Sequence, residues 1–252
     1  MKDSKRGIAN HAEPRGNNLL RALRPDDAAV IAPLLEQWRG ELGQIIYEPG
    51  DDVRHVYFPC GPSLVSYRVL MRDGQPVETA LIGREGAVGG IVSHGRLPAY
   101  ARAEVQFPGL FLRMETVALE EAKHRSPSLR QLFARYADCL MAQVFQSVAC
   151  NATHSIEQRT AKWLSAAIDR TDDTTMPITQ EQLATMLGVG RSYLSRVIHA
   201  FKSEGVVETR RGGLVIKDVT QLNRMACECN HSVRDHFDEV LKGIYPAETD
   251  AG

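Results

Sequence analysis

The sequence predicts an α+β protein built from a β-roll, a long helix and a C-terminal winged helix-turn-helix. Three observations support this prediction. Short β-rich pieces alternate with Gly, Pro and Asp between residues 42 and 114, an apolar stripe of helical period follows Pro127, and a capped pair of helices begins at Thr179.

The composition is that of an ordinary globular protein. Of 252 residues, 43% are hydrophobic and 24% are charged, and the net charge of −1 argues against a generally basic nucleic-acid coat protein. No apolar run approaches the roughly 18 residues of a membrane span, and no signal peptide is evident. The five cysteines suggest no disulfide framework, so we expect a cytoplasmic protein with no membrane partner.

Changes in residue composition and in hydrophobic periodicity along the chain predict five segments. We expect a flexible N-terminus at 1–18, a β-roll domain at 19–126, a long helix at 127–152, a winged helix-turn-helix at 153–225 and a C-terminal extension at 226–252. In the β-roll domain, residues 19–38 look helical, and strands are predicted at 44–47, 55–58, 64–70, 77–82, 100–106 and 110–113. Turns are predicted at 48–51 and 72–75.

The pair of helices at residues 179–202 has the pattern of a helix-turn-helix. Thr179 is a favourable N-cap with Gln182 in the capping-box position, and Gly188 can adopt the left-handed conformation that ends the first helix. Such a pair places its second helix in the major groove of DNA. The alternative is a helical pair that packs against a partner protein. The residues predicted to contact DNA are Thr179, Gly190, Arg191, Ser192, Tyr193, Ser195 and Arg196.

A hairpin with a glycine turn follows the second helix, and it has the pattern of a wing. Arg210 and Arg211 stand at its tip, where we expect them to contact DNA as well. From Gly188 to Lys217 there are six basic and two acidic residues, a net charge of +4 within a chain of −1. The positive charge is therefore concentrated where a phosphate backbone would lie.

The apolar stripe after Pro127 advances by three or four residues over more than five turns, with no Gly or Pro inside. This spacing suits a coiled-coil seam, and a helix-turn-helix usually reads two half-sites as a symmetric pair. We therefore predict a homodimer, the alternative being a core helix within one chain. The predicted dimer-interface residues are Leu129, Leu132, Phe133, Tyr136, Leu140, Val144 and Val148.

These features, in this order, resemble the Crp/Fnr family of bacterial transcription regulators over roughly residues 20–220. The motifs are Glu48-Pro-Gly-Asp51, the Asp73-Gly74 hairpin, Arg159-Thr-Ala-Lys-Trp-Leu164 and, as the most specific one, residues 179–196. The resemblance implies a cyclic-nucleotide-binding-like β-roll that acts as a sensor, a dimerisation helix, and double-stranded DNA with an inverted repeat as the partner. Contact with RNA polymerase is left open.

The resemblance also implies roles for individual residues. Arg191, Ser192 and Arg196 match positions that contact bases, and Thr179 matches a position that touches a phosphate. The family often has Glu where Ser192 stands and a small hydroxyl residue where Tyr193 stands. We therefore expect a half-site that differs from that of the best-known members.

The sequence departs from the family's cyclic-nucleotide site. Gly90 stands where the ribose-binding Glu is expected, and Leu97-Pro98 stand where the phosphate-binding Arg-Ser pair is expected. We therefore expect no cyclic AMP and no other cofactor, and a sensor domain with either a non-classical small-molecule effector or none. A glycine loop could still bind an anion, although turn glycines of the β-roll are the alternative. The candidate effector-loop residues are Gly83, Arg84, Gly89, Gly90 and Arg102, with Arg96 as a further partner.

A cysteine-rich motif remains near the C-terminus. No cysteine precedes Cys60, so the N-terminal iron–sulfur cluster of the oxygen-sensing branch is not expected. Cys227, Cys229 and His231 are candidates for metal binding, but their Cys-x-Cys spacing is less suited to one tetrahedral ion than the usual Cys-x₂₋₄-Cys spacing, and it could serve redox chemistry. We assign no metal, and keep a redox- or metal-responsive regulator as the alternative function; a buried cysteine on a C-terminal helix is the simplest interpretation. The sequence has no P-loop, no Gly-x-Ser-x-Gly and no His-Glu-x-x-His, so an enzyme is not expected.

Overall fold

The N-terminal domain is a β-roll made of two antiparallel sheets. The computed structural model describes residues 16–72, 74, 76–92 and 98–242, so Asp73 and Gln75 of the predicted turn lie outside the described residues. One sheet has the order β1-β7-β3 and the other β2-β6-β4-β5. The strands are β1 (Glu36–Gly40), β2 (Ile45–Tyr47), β3 (His55–Pro59), β4 (Leu64–Leu70), β5 (Pro76–Ile82), β6 (Arg102–Phe107) and β7 (Gly109–Glu115).

The first helical segment is shorter than predicted. It consists of α1 (Asn18–Arg21) and α2 (Pro25–Ile31), followed by a 3₁₀ turn, and the prediction of helix up to residue 38 is wrong. Pro25 starts α2, and Pro33 in the turn has no N–H to continue a helix. Trp38 instead lies in β1, where its ring packs against Tyr57 and Phe111 with centroid distances of 5.1 and 5.2 Å.

The boundary of the expected flexible terminus also needs a correction. Asn17 is fully buried. Its side-chain amide donates to the carbonyls of Pro59 and Gly86, while its oxygen accepts from the Leu20 amide and caps α1. The start of the described chain is therefore fixed to the β-roll before residue 18.

Two helices connect the β-roll to the rest of the chain. They are α3 (Thr116–Arg125) and α4 (Pro127–Thr153). Ser126 caps α4 by accepting from the Leu129 amide, and Pro127 occupies the first turn, where its missing N–H has no cost. With 27 residues, α4 is about 40 Å long.

The predicted dimer seam is mostly inside the chain. Leu129, Leu132, Phe133 and Tyr136 are buried in the same core as α1, α3 and β7, so the prediction for these four residues is wrong. The C-terminal helix α9 (Cys229–Val240) adds Val233 and Phe237 to this core, and its C-cap Leu241 joins them. Leu140 and Val144 pack against the core between the two β-roll sheets, and only Val148 of the predicted set is exposed.

The C-terminal domain is a winged helix-turn-helix, as predicted. Its elements are α5 (Ile156–Thr171), β8 (Thr175–Met176), α6 (Gln180–Leu187), α7 (Arg191–Ser203), β9 (Val207–Arg210), β10 (Gly213–Ile216) and α8 (Val219–Met225). The strands form an antiparallel sheet with the order β8-β10-β9. Leu183, Leu194 and Phe201 are buried in the core of this domain.

The two domains are joined by specific contacts between α5 and the β-roll. The Trp163 ring meets Phe107 edge-on at 6.4 Å, and the Arg170 guanidinium donates to the Leu81 carbonyl and pairs with Glu85 at 3.1 Å. None of the described helices is both long and apolar enough to cross a membrane.

Candidate nucleic-acid interface

The turn between α6 and α7 has the local geometry that the sequence predicts. Thr179 accepts from the Gln182 amide at 3.2 Å, while the Gln182 side chain accepts from the Thr179 amide at 2.9 Å, which completes a capping box. Gly188 ends α6 with φ of 65°, a left-handed conformation that glycine adopts without strain. Gly190 is then the N-cap of α7, and it fixes where the second helix starts.

Helix α7 has one buried face and one exposed face. Leu194, Val197, Ile198 and Phe201 are buried, as predicted from their spacing. The predicted DNA-contacting residues of the helix, Arg191, Ser192, Tyr193, Ser195 and Arg196, are all exposed. Arg191 lies 3.9 Å from Glu181, but both side chains are about three-quarters exposed (75% and 73%), so this pair contributes little and leaves the guanidinium accessible.

Tyr193 has two contacts that the sequence did not indicate. Its hydroxyl donates to the Glu157 carboxylate at 3.0 Å, and this hydrogen bond raises the pKa of the phenol. The guanidinium of Arg196 lies over its ring, 5.2 Å from the centroid. Tyr193 therefore links α7 to the start of α5 and holds Arg196 by a cation–π contact.

The wing has the expected hairpin. Gly212, with φ of 79°, makes the turn between β9 and β10. Arg210 pairs with Glu208 at 3.2 Å within the hairpin, and Lys217 lies 3.7 Å from the same carboxylate. Arg211 is exposed at the tip. The basic side chains of the wing and of α7 thus belong to one small domain with a net positive charge.

The glycines of the candidate effector loop serve the fold. The Gly83 amide donates to the Glu85 carboxylate, and the Gly89 amide donates to the Tyr67 hydroxyl at 3.1 Å. A Cβ at Gly89, which has φ of 124°, would lie 2.5 Å from the His55 carbonyl oxygen. Gly90 is buried. This arrangement favours the interpretation as turn glycines.

The candidate anion-binding arginines are engaged with carboxylates. Arg102 makes two hydrogen bonds of 2.8 Å to Glu48, which raise the pKa of its guanidinium. Arg84 lies 3.4 Å from Asp172 in the other domain. Arg96, the further candidate, lies outside the described residues. Arg84 and Arg102 thus each have a carboxylate partner, with which an anion would compete, and their role as anion partners stays a prediction.

The cysteine motif has different neighbours from those predicted. Cys227 and Cys229 are buried beside Cys150 and His154, and the four ligand atoms all lie within 4.8 Å of one another. His231 is exposed and accepts from Arg234 at 2.7 Å, so its grouping with the two cysteines is wrong. Burial raises the pKa of the Cys227 thiol to about 12. His154 and Cys150 were missed because His154 lies 75 residues before Cys229 and Cys150 lies 77 residues before Cys227; their spacing of four residues, which places them on one helix face, was the available signal.

Comparison with known proteins agrees with this architecture. The family model of the Crp-like helix-turn-helix domain matches residues 158–225. FixK2 from Bradyrhizobium japonicum has a TM-score of 0.65 at 14% identity, covering 77% of this chain and 98% of its own. A CRP-family transcriptional regulator from Thermus thermophilus has a TM-score of 0.61 at 23% identity, covering 75% of this chain and 96% of its own.

A third solved structure extends the likeness. The c-di-GMP-responsive global regulator CLP of Xanthomonas campestris has a TM-score of 0.62 at 14% identity, covering 77% of this chain and all of its own (100%). At these identities the likeness concerns the fold, and none of the curated proteins matches the chain. Residues 158–225 thus match the Crp-like helix-turn-helix domain, and the chain shares its overall fold with these Crp-type transcription regulators.

Proposed function

We propose that the protein binds an inverted repeat in double-stranded DNA as a homodimer, without a cyclic nucleotide. The observation that carries the proposal is the exposed face of the first two turns of α7, where Arg191 and Arg196 project from a helix whose other face is buried. An arginine in the major groove can pair with O6 and N7 of a guanine, a contact worth about 1–3 kcal/mol of discrimination. Ser192 and Ser195 lie on the same exposed surface and add shorter hydrogen-bonding groups.

The other contacts in this proposal go to the DNA backbone. Thr179 stands at the N-terminus of α6, where free amides and the helix dipole favour a phosphate. Arg210 and Arg211 reach the flanking backbone from the wing. Because phosphate contacts carry no sequence information, these residues set register and affinity, while those of α7 set sequence preference.

The exposed face of α4 supports the homodimer. Met141, Phe145 and Val148 are exposed by 50%, 65% and 67%, and their spacing of four and three residues places them on one face. The same face carries the exposed residues Ala134, Ala149 and Ala152, which allow close approach of a second helix. An apolar face of this kind on a 27-residue helix is typical of an interface. Pairing of two α4 helices would present two copies of α7 to one DNA.

Binding without a cyclic nucleotide is supported by the sensor domain. Gly90 replaces the ribose-binding Glu, and the loop amides of Gly83 and Gly89 already donate to the chain's own side chains. The interior of the β-roll is occupied by Tyr47 and Tyr67, whose hydroxyls lie 2.9 Å apart. The domain therefore has a non-classical effector or none.

The experiment that tests this function uses the full chain without ligand. Fragments bound from a random duplex pool are sequenced, and the best one is compared with a version in which one half-site is shuffled. We expect two chains per duplex on the complete repeat, much weaker binding to the single half-site, and no change when cyclic AMP is added. One chain per duplex, or tight binding only with cyclic AMP, would contradict the proposal.

A second candidate function is a redox- or metal-responsive regulator that senses through Cys227 and Cys229. It is favoured by the convergence of these two thiols with Cys150 and His154. The two candidates are compatible, because none of the four cluster residues is among those assigned to DNA contact.

A further inference from the structure

Four potential metal ligands converge where α4 ends and the C-terminal extension begins. Cys150 lies in the last turn of α4, and His154 is its C-cap. Cys227 lies between α8 and α9, and Cys229 is the first residue of α9. The three cysteines are buried and form a cluster of their own. Together they are the Cys₃His set that structural zinc sites commonly use.

The distances between the ligand atoms fit one tetrahedral ion. Zn–S bonds of about 2.3 Å and Zn–N bonds of about 2.0 Å imply S···S and S···N edges of about 3.8 and 3.5 Å. The sulfur atoms of Cys150 and Cys227 are 3.6 Å apart, and Cys229 Sγ is 3.5 Å from His154 Nδ1. An iron–sulfur cluster distributes its ligands over several iron atoms, so it needs a wider arrangement than four atoms within 4.8 Å.

We propose that Cys150, His154, Cys227 and Cys229 bind a single Zn²⁺ ion in a closed tetrahedral site. The neighbouring polar groups point to the same conclusion. Glu228 Oε1 lies 3.4 Å from His154 Nε2, so the carboxylate orients the ring with Nδ1 towards the thiols. The Gln146 side chain donates to Cys229 Sγ at 3.1 Å. Such partners of metal ligands fix the tautomer of the histidine and stabilise a thiolate.

The position of the site gives it a structural role. Cys150 and His154 precede the winged helix-turn-helix, whereas Cys227 and Cys229 follow it, so the ligands bracket the entire DNA-binding domain. The ion ties both ends of this domain to the C-terminal end of α4. It closes a loop of roughly 70 residues in the unfolded chain, which favours the folded state. Zinc therefore holds the DNA-binding domain in a fixed position relative to α4.

The first test measures the metal in the reduced, full-length protein. Elemental analysis is expected to find one zinc per chain. After removal by a chelator, titration with Co²⁺ is expected to give the visible absorption of a tetrahedral, thiolate-ligated ion, saturating at one equivalent. Neither measurement involves DNA, so a failure of the zinc proposal can be distinguished from a failure of the proposed function.

Matched variants assign the ligands. Cys150→Ala and His154→Ala are expected to abolish stoichiometric zinc and the tetrahedral Co²⁺ spectrum. The controls Cys139→Ala, a buried cysteine on the same helix, and His231→Ala, the exposed histidine beside the motif, are expected to keep both. Glu228→Gln leaves all ligands in place and is expected to weaken zinc affinity about 10- to 100-fold. This variant remains informative if the loss of a ligand prevents folding.

Several results would overturn the proposal. One is that the reduced wild-type protein neither contains zinc nor binds Co²⁺ tetrahedrally; another is that it shows an iron–sulfur absorption spectrum. A Cys150–Cys227 disulfide in protein purified under reducing conditions would also overturn it. So would undiminished zinc affinity in Cys150→Ala, His154→Ala and Glu228→Gln.

Discussion

The indole nitrogen of Trp163 donates a hydrogen bond of 2.8 Å to the carboxylate of Glu78, and this contact joins the DNA-binding domain to the β-roll. The other carboxylate oxygen, Oε2, is buried without a hydrogen-bond partner among the described residues. Such an oxygen is costly when it is charged, because the lost hydration is not replaced. The domain contact therefore contains a titratable group that resists ionisation.

Stability is expected to fall as the pH rises through the range in which Glu78 titrates. Burial raises the pKa of Glu78 to about 7, although Trp163 and the charge of Lys162 lower it. The folded state thus keeps a proton that the unfolded state loses above about pH 4.5, so the free energy of unfolding decreases between about pH 4.5 and 7. Glu78→Gln keeps an acceptor for Trp163 and removes this dependence.

Denaturant unfolding of both proteins across this range measures the effect. Glu78→Gln is expected to match the wild type near the acidic end and to exceed it by about 1–3 kcal/mol at the alkaline end. A stability difference that does not change with pH would show that Glu78 is not the group responsible.

Arg191 and Arg211 are expected to affect DNA binding in different ways. Arg191→Ala, in the first turn of α7, should cost about 1–3 kcal/mol on the selected site and relax its sequence preference. Arg211→Ala, at the tip of the wing, should weaken binding to all sequences alike and lower the salt slope by about one unit. Titrations on the selected and a shuffled site at several salt concentrations separate the two effects. Equal effects of both variants on specificity would contradict the assigned roles.

Phe145 is expected to be central to the dimer. Phe145→Glu places a charge on the exposed apolar face of α4. Because a symmetric interface contains both copies of this residue, the apolar contact is lost twice in each dimer. We expect the dimer dissociation constant, measured by sedimentation equilibrium, to rise on the order of 100-fold or more. Val117→Glu is the control, because Val117 is similarly exposed (61%) but lies on α3. A dimer that is unaffected by Phe145→Glu would place the interface elsewhere.

Tyr193 is expected to act mainly by positioning Arg196. Tyr193→Phe keeps the ring under the guanidinium and loses only the exposed hydrogen bond to Glu157, so we expect little change in DNA affinity. Tyr193→Ala also removes the cation–π contact and should bind the selected site more weakly than Tyr193→Phe. If the two variants bind equally weakly, the hydroxyl itself contacts DNA.

The winged helix-turn-helix was predictable because its determinants are local. Thr179, Gly188 and Leu194 lie within sixteen residues of one another, and each has a direct physical role in a cap, a turn or a core. The dimer seam was not predictable in this way. A helical stripe looks the same whether it packs on a partner or on its own chain, and it is α9, about a hundred residues later, that packs against Phe133 and Tyr136.

The cysteine site shows the same limit of sequence reasoning. The Cys227-x-Cys229 motif was visible, but its other two ligands are contributed by the end of α4, and Cys150 is 77 residues away from Cys227. No spacing rule connects ligands across an entire domain. The order of strands and helices was predictable from turns and periodicity, whereas contacts between distant elements required the fold.

The most direct test of sequence-specific recognition is the affinity of the ligand-free protein for its selected inverted repeat, compared with a shuffled duplex of the same length and composition at physiological salt. We expect binding to the repeat to be at least about 10³-fold tighter than to the shuffled duplex, a ratio typical of specific regulators. Equal affinities for the two duplexes, with the same salt dependence, would contradict sequence-specific recognition by α7.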